Sequence, residues 1–406
     1  MIRKIKTITI SLLALAAVFA GCSKSSPEAG EDAWVLDDSL PVPIKFGSSG
    51  KVMTKASVES LSNLDRFWTL GIDKDKTGVD WSADSPLVVL NAQEGFFGDA
   101  IGEGEGSYYS LQFGSREAPT KKYYPLESRY NYSFYGYYVG GEASIPASQS
   151  ADLDFTDNVA SVGSVTVGRI DYLWAEATAT DIVIDEGEHA GTWKGFNARY
   201  ARRAKEKGEY EAHLPDMSIK HVTTCLRFKA MAADEDAYNS FFDEPDPDNP
   251  AHADENAKIF VKKIVLEGVD TTARFVIADN LSENSQKGSL QPLGEEKGTV
   301  TVDGLSVIPT VDGVEIADGF FLIPGDMEGV VVKVYFRVSG EDQDQFYEVK
   351  NLKTVASVES FEKGKSYTFN VIFNSIEEIS IKANLDEWDN SPEDSNWDPD
   401  DHLDED

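Results

Sequence analysis

From Ile44 to Ala383 the chain is written in short runs of alternating apolar and polar residues, separated by turn formers. A period of two places successive side chains on opposite faces of an extended strand, so the pattern commits the chain to half-buried antiparallel sheet. A first series runs through Val42–Phe46, Phe67–Ile72, Leu87–Asn91, Tyr108–Phe113, Tyr132–Val139 and Ile182–Asp185. Breaks fall at Gly47-Ser48-Ser49-Gly50, between Asp99 and Gly106, and at Gly140-Gly141. A second series takes in Met217–Lys220, Thr223–Met231, Ile259–Leu266, Arg274–Ala278 and Gly298–Val302. It continues through Gly319–Ile323, Val330–Val338, Phe346–Val349, Tyr367–Phe373 and Glu378–Ala383. Little looks helical beyond a turn near Ser60–Asp65. The segment Asn197–Glu211 holds helix formers and the one basic cluster, Arg199, Arg202, Arg203, Lys205 and Lys207. Lacking a sustained apolar face, it reads as a solvated connector or as a surface for an acidic partner. With 406 residues, two domains are expected, at 44–212 and 213–388.

The first residues say where such a chain works. Arg3, Lys4 and Lys6 precede an apolar run from Ile8 to Ala20, the layout of a secretory signal. The run falls short of the roughly 20 residues that a membrane-spanning helix needs. Its end, Phe19-Ala20-Gly21-Cys22, resembles a bacterial lipobox, which implies a signal peptide at 1–21 and a covalent lipid on Cys22, palmitate included. Residues 22–43 are polar, acidic and broken by Pro27, Pro41 and Pro43, and read as a flexible tether. The chain carries a net charge of −34, and removing residues 1–21 takes away three more cations. Such a charge repels phosphates, so no nucleic acid partner is expected. Residues 389–406 hold no Lys or Arg and too little apolar surface to order, and a mobile acidic tail is predicted. With Cys22 lipidated, Cys225 is left alone in a strand-like run and reads as a small buried hydrophobe.

No motif for catalysis is present. The five His show no metal-binding spacing, and no His-Glu-x-x-His, Gly-x-Ser-x-Gly, P-loop or dinucleotide fingerprint occurs. Two carboxylates suffice for glycoside hydrolysis, but among 71 acids nothing singles out a pair. The residues thus offer no positive sign of an enzyme without excluding one, and no cofactor is expected. Asp73, Asp75, Thr77, Gly78 and Asp84 copy the oxygen-ligand spacing of a calcium loop. Strand-like flanks, Asp at the last position and the intervening Lys74 and Lys76 favour a plain hairpin loop, so calcium is possible but not favoured. Among seven Trp, Trp68 and Trp174 lie in strand-like runs and are expected in the core. Trp81 and Trp193 lie beside loops and are the candidates for stacking on a sugar.

In order along the chain stand Ile44-Lys45-Phe46, Met53-Thr54-Lys55-Ala56, Tyr123-Tyr124-Pro125 and Tyr132-Ser133-Phe134-Tyr135-Gly136-Tyr137-Tyr138. Asp171-Tyr172-Leu173-Trp174-Ala175, Ile219-Lys220-His221-Val222, Leu226-Arg227-Phe228, Phe361–Thr368, Ile379–Ala383 and Trp388 follow. This succession resembles the fimbrillin family of Bacteroides-type bacteria. The resemblance implies two tandem transthyretin-like antiparallel β-sandwich domains, an all-β chain with a structural or adhesive role and no catalysis. It places the protein at the outer membrane, lipid-anchored and surface-exposed or released into a fimbrium. Its partners would be other pilus subunits, or host or bacterial surface ligands. In polymerising relatives a trypsin-like protease cuts near the first strand, and a strand from another subunit fills the opened groove; the matching position here is Lys55. The acidic tail departs from a donated strand, because unpaired carboxylates do not enter a core. A donor could come only from Ile376–Leu385, which is expected to close the protein's own sheet. An accessory or tip-type member is therefore favoured over a stalk subunit. The alternative is a glycan-binding outer-membrane lipoprotein that does not polymerise.

Overall fold

The computed structural model describes residues 35, 37, 39–48, 64, 66–73, 88–101, 108–126, 131–140, 150–177, 179, 181–242, 257–280, 284–375 and 378–387. In the first half the strands are β1 (Val42–Pro43), β2 (Phe46–Ser48), β3 (Phe67–Ile72), β4 (Val88–Ile101) and β5 (Tyr108–Gly114). Next come β6 (Pro119–Thr120), β7 (Tyr123–Tyr124), β8 (Ser133–Tyr138), β9 (Leu153–Thr156) and β10 (Val159–Thr166). Strands β11 (Leu173–Ala177), β12 (Ile182–Ile184) and β13 (Gly191–Trp193) lead into helix α1 (Ala198–Lys207). Then follow β14 (Ser218–His221), β15 (Thr224–Ala232), α2 (Glu235–Ser240), β16 (Ile259–Val269), β17 (Thr272–Asp279) and β18 (Ser289–Pro292). The chain continues as β19 (Gly298–Val302), β20 (Val314–Leu322), β21 (Val331–Val338) and β22 (Gln345–Val349). Last are α3 (Leu352–Ala356), β23 (Lys365–Phe373) and β24 (Ile379–Glu387). The protein is all-β, as the alternation predicts. No helix among the described residues is long and apolar enough to cross a membrane.

Two apolar cores organise these strands. The second lies between the sheets β20-β15-β23-β24 and β19-β16-β21-β22. Leu226, Phe228, Phe369 and Val371 from one sheet pack against Ile264, Leu266, Val332 and Val334 from the other, the cross-section of a sandwich. Within it β15 and β23 pair in parallel, from Cys225↔Ser366 to Ala232↔Phe373. A parallel neighbour needs a long crossover, and here the whole opposing sheet serves as that connection.

The first core lies under the long sheet β14-β11-β8-β3-β4-β5-β2, with β6 paired to β5. Gly136 sits mid-strand in β8 because nothing larger fits: a Cβ there would stand 2.4 Å from the Phe67 ring. The covering layer is the sheet β18-β17-β10-β9. Half of that layer is the hairpin β17–β18, which lies inside the second strand series yet buries Ala273, Phe275, Ile277 and Leu290 in the first core. Phe275 meets Tyr137 and Tyr172 edge-on, at ring separations of 6.4 and 5.8 Å. The boundary expected at 212/213 divides the sequence; in space β14 and this hairpin lie with the first core.

Segment 197–211 departs from expectation. It is an ordered helix, not a solvated connector, capped by Asn197, whose side chain accepts from the Tyr200 amide, and ended by Gly208 at φ 78°. Its hidden face is Ala198, Tyr200, Ala201 and Ala204 together with the stems of Arg202 and Arg203. Long basic side chains bury methylenes while carrying charge, so a count of apolar residues misses this face.

Candidate functional site

The feature that the sequence resemblance makes most interesting is the segment before Lys55, and residues 39–48 of it are placed. Val42, Ile44 and Phe46 are all buried, alternating with the less buried Pro43 and the exposed Lys45. Phe46 packs edge-on against Phe134 at 4.9 Å and Phe113 at 5.7 Å between ring centres. The backbone is held on both sides. On one, Val42 and Pro43 pair with Tyr124 and Tyr123, the Ile44 amide donates to the Lys122 carbonyl at 2.8 Å, and Phe46–Ser48 pair with β5. On the other, the Gly47 amide donates to Pro215 O at 3.0 Å and the Met217 amide to Gly47 O at 2.9 Å. Residues 215–217 run directly into β14, the opposite end of the long sheet. Gly47 therefore bridges the two ends of that sheet and closes its circuit. Burying a Val, an Ile and a Phe contributes about 5–9 kcal/mol by area, as an upper bound.

A helix reaches this segment as well. Arg202 of α1 donates through Nη2 to Leu40 O at 2.7 Å and to Asp37 O at 3.4 Å. Nearby, the Ser39 hydroxyl and amide donate to the Asp37 carboxylate at 2.6 and 2.9 Å and hold its pKa below the usual carboxylate range. Beneath the segment Tyr124 is buried, which pushes its phenol well above the ordinary value. No sequence motif announces Arg202: its partners are backbone carbonyls more than 160 residues away.

At the other terminus β24 pairs with β23 along its whole length, from Lys365↔Glu387 to Phe373↔Ile379. Ile379, Ile381 and Ala383 pack on the second core, and Leu385 is exposed. Strand β24 thus closes the protein's own sheet, as expected of the described part of Ile376–Leu385.

The remaining candidates divide sharply. Cys22, Lys55, Asp75, Thr77, Trp81 and Asp84 lie outside the described residues. Asp73 follows β3 and is buried. Among the described residues no group of three or more His, Cys, Asp or Glu stands close enough to hold a metal. Trp193 is half-buried, donates from Nε1 to His189 O at 3.1 Å, and has the guanidiniums of Arg199 and Arg203 at 5.4 and 5.3 Å from its ring. Trp68 and Trp174 are buried, the latter donating to Ile277 O at 2.9 Å. His221 pairs through Nδ1 with the Asp171 carboxylate at 2.9 Å, and the Thr223 hydroxyl donates to the same carboxylate at 3.2 Å. This buried polar cluster ties β14 to the turn before β11.

No protein-family model matches the chain, and no curated protein matches it significantly. Among solved structures it is similar to a candidate cell adhesion protein of Bacteroides uniformis, at 13% identity and a TM-score of 0.44, over 86% of this chain and 98% of that one. A candidate cell adhesion protein of Bacteroides eggerthii is similar at 10% identity and a TM-score of 0.36, over 87% and 98% of the two chains. A third, from Bacteroides thetaiotaomicron, gives 8% identity and a TM-score of 0.31, over 82% and 92%. At TM-scores below 0.5 none of these likenesses assigns a function.

Proposed function

We propose that this protein is a fimbrillin-like surface lipoprotein, anchored in the outer membrane by lipid on Cys22, with a non-catalytic role in pilus assembly or adhesion. The observation that carries this is the closing segment Val42–Ser48. It lies N-terminal to Lys55, fills a slot between β5 and residues 215–217, and supplies three buried side chains to the first core. A cut after Lys55 would sever this segment from the body by one covalent break, leaving it held by non-covalent contacts alone. Its departure would expose Phe113, Phe134 and two free strand edges, a site for an added strand. The body would then be free of its lipid. Because β24 is committed to its own sheet and an acidic tail follows it, the chain is suited to accept a strand more than to donate one. That favours an accessory or tip position.

The test is digestion of the purified mature protein with a trypsin-like protease, followed by N-terminal sequencing and mass analysis. The expected product is a stable body beginning at Ala56 from which the segment ending at Lys55 separates under mild denaturation. A body that resists cleavage there, or that never releases the segment, would sink the assembly role.

A further inference from the structure

Where the turn from β16 into β17 meets β18 and the loop after β20, a cavity of about 490 Å³ lies at the junction of the two cores. That volume falls within the range of about 300–1,000 Å³ typical of ligand sites. Its floor is aliphatic: Val269, Leu290, Leu322 and Val330 line it and are buried, with Met327 beside them. No aromatic ring lines it. Its rim is acidic, with Asp270, Asp326 and Glu328 against one lining cation, Lys297. Lys297 pairs with Asp270 at 2.8 Å, and Lys353 reaches Asp326 from α3. Glu328 has no ion pair among the described residues.

Chemistry narrows the occupant. A sugar would look for a ring to stack on and finds none. An anion would meet three carboxylates, only two of them countered by lysines, in a chain of net charge −34. A long aliphatic stem ending in a cation satisfies both parts, methylenes on the floor and head group at the rim. We propose that this cavity receives a lysine or arginine side chain from an extended segment of a partner protein, with the head group paired to Glu328. The proposal goes beyond the pilus reading and does not depend on it.

The test uses the full mature chain and a fluorescein-labelled peptide, acetyl-Gly-Leu-Arg-Leu-Gly-amide extended by a labelled lysine-free linker, read by fluorescence polarisation. A twin peptide carries citrulline for arginine, which keeps the shape and removes the charge. The citrulline peptide is expected to bind about tenfold more weakly, and Glu328→Gln to weaken the arginine peptide by about five- to tenfold. Glu186→Gln, an exposed change in the β12–β13 turn with the same effect on net charge, is expected to leave binding unaltered. Equal affinity for the two peptides, equal loss in both variants, or no binding at millimolar peptide would each overturn the proposal. Displacement of the peptide by maltoheptaose would make this a sugar site and overturn it too.

Discussion

Cys225 sits between Phe321 of β20 and Ser366 of β23, fully buried, and burial pushes its thiol from an ordinary value near 9 up to about 11. Arg227 opposes that shift and does not cancel it. The folded state thus keeps a proton that the unfolded chain gives up, so stability falls as pH rises from about 9 towards 11, at about 1.4 kcal/mol per unit from this group. Tyr124 and Tyr137, both raised by burial, steepen the loss above their ordinary value of 10. Urea unfolding measured from pH 8 to 11 should show this decline, and Cys225→Ala should flatten it between 9 and 10.5. Identical slopes in the two proteins would refute it. The sequence makes Cys225 legible as a small hydrophobe, because it stands in a strand-like run. The Asp171–His221 pair is not legible, since its members are 50 residues apart and meet only when β14 docks on β11.

Elements divide in the same way. Val331–Phe336 and Phe369–Phe373 alternate so regularly between buried and less buried positions that the existence and inner faces of β21 and β23 follow from the pattern. Direction does not follow: alternation is the same read either way, and the parallel pairing of β15 with β23 is set by the crossover between them. Helix α1 is hidden for another reason, because two of its buried residues are arginines. That helix also has a purpose that packing alone does not reveal. Through Arg202 it grips residues 37–40 just ahead of the closing segment. A buried charged donor on carbonyl oxygens contributes about 1.5–3 kcal/mol, and Arg202→Ala should lower stability by roughly that amount. Arg202→Lys keeps the charge but not the fork and should fall between. In limited proteolysis the Ala variant should be nicked before Val42 faster than the parent. If melting and nicking are both unchanged, the grip is incidental.

At the scale of the whole molecule the two cores are interlocked. The hairpin β17–β18 leaves the second sandwich after Val269 and gives Phe275, Ile277 and Leu290 to the first. Lys363 pins it by donating to Gly288 O at 2.5 Å, with its ammonium 5.6 Å from the Trp174 ring. Gly168 and Phe321 exchange two backbone hydrogen bonds at 2.9 and 3.0 Å. A Cβ at Gly168 would stand 2.5 Å from Val300 of the second core, so only glycine allows that approach. Two strand series were legible in the chain; that one lends a hairpin to the other was not, because a buried face does not name the core that buries it. The interlock predicts one unfolding unit where the sequence suggests two. Cut the chain between Val222 and Thr223, and the first piece loses half its covering layer, while the second exposes the apolar face of the hairpin. Each fragment expressed alone should bind a hydrophobic dye and melt without a sharp transition, as expanded states do. Co-expressed, they should recover a soluble complex with the parent's single cooperative melt. A sharp transition in either fragment alone would show that the hairpin is dispensable and that the units are independent domains.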